Sequence, residues 1–198
     1  MNPQQVAVSV VTKEIDALVS LKERLTQGLA QKIEYATVAI KACEGNVIVT
    51  GVGKSGLVAQ KAVSTFRTLG TPAVFLDPVA AAHGELGQIR DGDVVIVLSW
   101  SGRSDELTPI VEKVAMNDQV RLISIGRDPT SHIAQLSNLF LELPGVEEAC
   151  MLGLTPTASA TMMVAIMDAL AVAAGEMVRF DRVSFIENHP AGTLGRGK

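Results

Sequence analysis

Asp93-Val94-Val95-Ile96-Val97-Leu98-Ser99-Trp100-Ser101-Gly102-Arg103-Ser104-Asp105-Glu106 is the stretch whose reading decides the fold. It opens as an apolar run rich in β-branched residues, the pattern of a strand buried on both faces. It then breaks into serines and a glycine, and the helical spacing Leu107, Ile110, Val111, Val114 follows. A strand that ends in hydroxyls and opens a helix gathers side-chain O–H and free backbone N–H groups at one point. The helix dipole makes that point attractive to an anion, and a phosphate is the expected occupant. A serine-rich turn with Ser104 as a simple N-cap is the competing reading.

Outward from this stretch the pattern repeats. Val47-Ile48-Val49, Ala73 to Leu76, Val120 to Ile125 and Leu139 to Leu143 read as further short strands. Helical patterns separate them over 57–69, 104–116 and 129–136, and a small-residue loop over 79–92. Such alternation predicts an α/β three-layer sandwich, a five-stranded parallel sheet flanked by helices. Before the first strand, residues 4–43 carry apolar residues at helical spacing, Val11, Ile15, Leu18, Leu21, Leu25, Leu29 and Ile33, with Gly28 as a kink or break. This N-terminal helical arm, residues 1–44, must wrap the sheet or pack on another subunit. Residues 45–198 form the main domain. A loop over 144–154 leads to Thr155-Pro156, a helix start, and a helix to Met177 that is apolar nearly all round and expected to be buried.

The composition narrows the class. Apolar residues are 47%, aromatics only 4%, and the net charge is −4, which argues against nucleic acid as a partner. So apolar a chain has little surface to spare for solvent, which points to subunit contacts. Cys43 and Cys150 have no metal-ligand spacing and fit a reducing compartment, so the expected location is the cytoplasm. The N-terminus has no signal-peptide pattern. Ala158 to Met177 is interrupted by Asp168 and Glu176, which makes it a poor membrane span, and no membrane association is expected.

In a parallel sheet, ligands bind at the carboxyl ends of the strands. Three segments meet that edge: the turn after the first strand, the turn after the third, and the loop after the fifth. Gly51 to Gly56, GVGKSG, matches the GxGxxG of a dinucleotide site, with Asp77 as a possible ribose ligand. Lys54 inside the turn and the second anion site weigh against that reading. The phosphate loop of nucleoside triphosphatases would need glycine where Ile48 stands, and is excluded. Lys54 suits a phosphate or a developing oxyanion. Glu106 fits either helix-dipole compensation or a role at the carbon end of the ligand. Glu148 sits in the loop pair Glu147-Glu148. His83 and His189 lie in Gly/Ala/Pro-rich loops where imidazole can do acid–base work, whereas His132 reads as structural. Asp168 reads as a satisfied buried or interface polar group, and Trp100 and Arg103 as rim residues without an assigned part.

Together GVGKSG, the AAHGELG loop at 81–87, the SxSG turn with Glu106 downstream, EACxLGLTPT at 148–157 and HPAGTLGR at 189–196 make the chain similar to a known family. It resembles the sugar isomerase (SIS) domain of bacterial D-arabinose 5-phosphate isomerases, over residues 45–196. The resemblance implies a flavodoxin-like, SIS-type sheet working as a homo-oligomer, typically a tetramer. It also implies the interconversion of D-ribulose 5-phosphate and D-arabinose 5-phosphate, which feeds Kdo synthesis. It carries the catalytic positions onto Lys54, Glu106, Glu148 and His189, and a substrate-contacting histidine onto His83. The usual SNSGE is SWSGR here, and a histidine that binds inhibitory zinc in relatives is Asp77, so no metal site is expected. The chain ends at Lys198, so the paired CBS module of many relatives is expected to be absent.

Aldose–ketose isomerisation moves a proton between C1 and C2. It needs a phosphate anchor, a carbon base, an electrophile for the enediolate oxygens and an acid/base for ring opening. No metal or redox cofactor is required. Gly53, Ser55, Ser99, Ser101 and Ser104 are the expected anchor, with Thr157 at the long helix. Glu106 or Glu148 is the carbon base, Lys54 stabilises the enediolate, and His189 relays protons in its own or a neighbouring site. Two carboxylates in one pocket would push one pKa up. An isomerase of another sugar phosphate, and a non-catalytic sugar-phosphate-binding module, remain alternatives.

Overall fold

Each of the five apolar runs becomes a strand. The computed structural model describes residues 2–189. β1 (Val47–Gly51), β2 (Ala73–Phe75), β3 (Val94–Leu98), β4 (Arg121–Gly126) and β5 (Leu139–Glu142) form one sheet in the order β2-β1-β3-β4-β5. All neighbouring pairs are parallel. This is the doubly wound, flavodoxin-like order, and its switch point lies between β1 and β3. Gly51 pairs with Leu98 at the carboxyl end of that junction, so the two following turns leave the sheet side by side, about 4.8 Å apart.

Alternating side chains divide the core. Val47, Val49, Ile96 and Leu98 face α1 (Pro3–Arg24), α2 (Ala30–Lys41), α3 (Lys54–Thr68) and α7 (Ala158–Met177). Ile48, Val95 and Val97 face α4 (Pro78–Ala82), α5 (Thr108–Ala115) and α6 (His132–Leu136). α8 (Arg182–Glu187) follows α7. Both faces of β3 are covered and all five of its residues are buried, the arrangement its continuous apolar run implied.

Several boundaries differ from expectation, each for a local reason. α3 begins at Lys54, not near Leu57, because Gly53 at φ +59° turns the chain directly into it. Lys54 and Ser55 therefore lie in a first helical turn, not in a loop. The 79–92 loop holds α4 and a 3-10 turn at Glu85–Gln88, since Asp77 Oδ1 caps Val79 and Ala80 at 2.9 Å each. That cap uses the carboxylate which the dinucleotide reading had assigned to a ribose. After β3 a 3-10 turn, Asp105–Leu107, precedes α5, and Ser104 makes no side-chain cap. α7 starts at Ala158, three residues after Thr155, because Thr157 and Ser159 are engaged by Glu148.

α7 buries one stripe, Ser159, Met162, Met163, Ile166, Met167, Leu170, Ala171 and Ala174, while Val172 stays exposed, so it is not buried all round. Its length and composition would suffice to cross a membrane, in contrast to the expectation from Asp168 and Glu176, but more than half of its most apolar window is buried inside the protein. The arm breaks at Gly28, φ +105°, as its glycine suggested. Ala17, Leu21 and Leu29 reach the core, whereas Val8, Val11 and Ile15 remain exposed.

Candidate active site

The GVGKSG turn is built by close approach. A Cβ on Gly56 would lie 2.7 Å from the Gly51 carbonyl oxygen, and one on Gly51 would lie 2.9 Å from the Ser55 carbonyl carbon. Glycine at both positions lets α3 start directly against the end of β1. At Gly53, by contrast, a Cβ would point into open space. Gly56 N donates to Val52 O at 3.4 Å and Leu57 N to Gly53 O at 3.1 Å, and at such a helix start the N–H groups ahead of them have no intrahelical acceptor. Lys54 is exposed there. Ser55 Oγ lies 3.7 Å from Met163 Sδ of α7.

The serine turn after β3 is seated on the turn after β4. Ser99 N donates to Ile125 O at 3.1 Å and Arg127 N to Trp100 O at 2.9 Å. A Cβ on Gly102, φ +67°, would run into Ser131, so glycine sets this contact. Ser99 Oγ accepts from Gly102 N at 3.2 Å and lies 3.3 Å from Ser104 Oγ. Ser101 Oγ, exposed, accepts from Arg103 N at 3.3 Å. Glu106 is exposed in the 3-10 turn that follows, and Trp100 packs against the edge of the core. Arg103 is exposed on this turn, whereas Trp100 is half-buried.

Glu148 is the opposite kind of acid. It is buried, and its carboxylate accepts from Thr157 N at 2.7 Å, Thr157 Oγ1 at 3.0 Å, Ser159 N at 3.4 Å and Ser159 Oγ. Burial alone pushes its carboxyl up, but the bonds from Ser159 and Thr157 together outweigh it and hold the group below the ordinary glutamate value. Glu148 is therefore not the member of a carboxylate pair whose pKa rises. The Thr157 hydroxyl, expected to help grip phosphate, is spent between Glu148 and Ala149 N, from which it accepts at 2.8 Å. Ser159 was not anticipated; hydroxyls at both ends of Thr157-Ala158-Ser159, opening an apolar helix, were the available signal.

Nearby, Cys150 Sγ accepts from Thr155 N at 3.2 Å and Leu154 N at 3.3 Å. The Thr155 hydroxyl, then these N–H groups, lower its pKa to about 6. His83 closes α4 at the same edge of the sheet and is exposed. Met163 lies one helical turn beyond Ser159, so the contact from Ser55 brings the Lys54 turn close to Glu148.

His189 does not join them within the chain. Its Nδ1 bonds Phe185 O at 2.7 Å and its ring stacks on Phe185. With Asn188 it lines a cavity against Gln60, Val63, Ser64, Arg67 and Thr68 of α3. Those residues stand about 9–21 Å along the helix from Lys54. Residues 190–196 of the HPAGTLGR segment lie outside the described residues. His132 pairs with Glu112 at 3.3 Å and Asp168 with Lys61, both on the surface, in line with structural parts. Among the described residues, no cluster of three or more His, Cys, Asp or Glu is placed to hold a metal ion.

A lysine-bearing helix start and a serine turn that leave the sheet together at the β1–β3 switch point place the chain among the doubly wound α/β folds, whose ligands bind at that edge. The sequence profile of the SIS domain matches residues 41–173, and the chain belongs to that family. It is 38% identical over 193 residues to arabinose 5-phosphate isomerase KdsD of Escherichia coli K12, covering 98% of this chain and 57% of that protein. To arabinose 5-phosphate isomerase GutQ of the same organism it is 36% identical over 172 residues, covering 87% and 53%. The chain thus spans little more than half the length of these curated relatives. A solved structure from E. coli CFT073 in complex with arabinose 5-phosphate matches with a TM-score of 0.87 at 33% identity, covering 96% of this chain and 100% of that one.

Proposed function

We propose that this chain interconverts D-ribulose 5-phosphate and D-arabinose 5-phosphate through an enediol(ate), in the cytoplasm and as a homo-oligomer. The observation that carries the reading is its likeness, along nearly its whole length, to arabinose 5-phosphate isomerases and to a protein holding arabinose 5-phosphate. The phosphate is gripped by Ser99, Ser101 and Ser104 and by the N–H groups of Gly53 and Ser55. The sugar then extends across the β1–β3 junction. Lys54 offers its charge to the developing enediolate oxygen, in a crevice where such a charge is worth more than in water.

Of the two glutamates, Glu106 is the carbon base. Its carboxylate has no hydrogen-bond partner among the described residues, so a lone pair is available for the C–H proton. Glu148 already accepts four hydrogen bonds, which weakens it as a base and suits it to holding the α7 N-terminus and a fixed negative charge.

His189 serves a neighbouring site. The outward face of α3 carries Lys54, Leu57, Gln60, Lys61 and Ser64, all exposed. Antiparallel pairing of this face with a second copy sets the His189 end of one helix beside the partner subunit's Lys54. Exposed Val8, Val11 and Ile15 on α1 and Val172 on α7 supply further apolar contact for a tetramer. Residues 1–44 act as the arm of this assembly, and 45–198 as the isomerase domain.

Incubation with ribulose 5-phosphate in D2O should exchange a proton at the reacting carbon and yield arabinose 5-phosphate. A panel of pentose and hexose phosphates tests the substrate. The saturated Glu148 favours one other reading, a sugar-phosphate-binding module without turnover. Tight binding of arabinose 5-phosphate with no exchange at any time would establish that module and sink the isomerase.

A further inference from the structure

The serine turn carries one charged side chain that the isomerisation scheme leaves idle. Arg103 stands between Gly102 and Ser104, its side chain is 77% exposed, and Nη2 lies 3.2 Å from Asp128 Oδ2. Asp128 does not depend on this pair. Its other oxygen, Oδ1, accepts from Thr130 Oγ1 at 2.6 Å and Thr130 N at 2.9 Å. Those two bonds, ahead of Arg103, hold its carboxyl below the usual range.

The turn does not depend on the Arg103 side chain either. Its backbone is set by Ser99, Gly102 and the bonds to Ile125 and Trp100 already described. Among the described residues the guanidinium is thus held at the solvent edge by a single contact. Exposed ion pairs of this kind are weak, because water and salt screen them. A phosphate dianion in the same turn would offer it shorter, bidentate, charge-assisted bonds.

Charge makes the same point. Asp105 and Glu106 follow in the first turn beyond the serines, and both are exposed. Two carboxylates beside a phosphate site repel the phosphate. A cation on the near side of them offsets that repulsion, and Arg103 is the cation on this turn.

We propose that Arg103 is a further substrate-binding residue, parked on Asp128 in the free protein and transferred to the phosphate when substrate enters. It sets the affinity for phosphorylated ligands and takes no part in proton transfer. For the sugar this rests on the isomerase reading; for the anion it rests only on the serine turn.

The test is calorimetric titration of inorganic phosphate into the wild type, Arg103→Ala, Arg103→Lys and Asp128→Asn, alongside KM and kcat with ribulose 5-phosphate. Loss of a bidentate charge-assisted contact should weaken phosphate about 10-fold in Arg103→Ala and raise KM in step, with kcat within about 2-fold. Arg103→Lys should recover part of the loss, and Asp128→Asn, by releasing the arginine, should tighten phosphate. A merely structural pair predicts instead that Arg103→Ala and Asp128→Asn lower the melting temperature alike and leave phosphate affinity unmoved, which overturns the assignment. Wild-type turnover with an unchanged Arg103→Ala variant removes Arg103 alone. Phosphate binding that falls in Arg103→Ala, in a protein that never turns over ribulose 5-phosphate, removes the isomerase reading and leaves Arg103 in place.

Discussion

The turn after β3 and the segment after β5 both carry an acid beyond the carboxyl end of a strand, and treat it by opposite means. Over 99–106 the hydroxyls of Ser101 and Ser104, Arg103 and Glu106 reach solvent on a backbone pinned from below by Ser131 and Arg127. Over 148–159 the polar groups turn inward, and Glu148 is consumed by Thr157 and Ser159. One region keeps its functional groups available to a ligand; the other spends them to fix a helix end. The difference teaches that a carboxylate at a site edge is judged by its donors. A partnerless acid can take a proton, whereas a saturated one holds structure and field.

Exchanging the two glutamates for glutamine tests this contrast most directly. Glu106→Gln should lower kcat by about 10²–10⁴-fold, the usual contribution of a general base, with an unchanged melting temperature. Turnover lost in Glu148→Gln but kept in Glu106→Gln would invert the comparison. Stability should sort the other way. Replacing Glu148 by glutamine leaves donors at Thr157 and Ser159 without their anion, at a cost of about 1.5–3 kcal/mol by denaturant unfolding.

Acid sharpens the same point. Glu148 has a lowered pKa in the folded protein, so its contribution to stability is present above the unfolded value, about 4.3, and is lost as pH falls below it toward the folded value. Glu148→Gln should flatten that part of the stability curve, and Glu106→Gln should not.

A smaller step concerns the cysteines. Cys150, held to about 6 by Thr155 and Leu154, should react with iodoacetamide at a rate that rises through that pH and then levels. Cys43, whose pKa burial pushes up, should react only at alkaline pH. Equal profiles would mean that the 150–155 turn does not hold its geometry in solution.

Much of this architecture is legible in the chain itself. Short β-branched runs punctuated by glycine and serine specify buried parallel strands, and glycine spacing marks where α3 meets β1, because those signals are local and steric. Lys54, Ser99 and Ser101 stand out for the same reason: each lies within three residues of a strand end. Helix starts were less legible, since Thr155 and Ser104 have good capping chemistry while the caps depend on partners elsewhere.

Three things belonged to the tertiary structure alone. The donors on Glu148 come from residues nine and eleven positions away, and they reverse the direction that burial would give its pKa. The Asp128 that holds Arg103 comes from a different strand end. His189 falls against the far half of α3, a placement made by the packing of the C-terminal segment. Residue type and spacing determine which groups reach the edge of the sheet. Electrostatics and hydrogen bonding act through space, so only the folded chain decides which of those groups is already satisfied and which is left for a ligand.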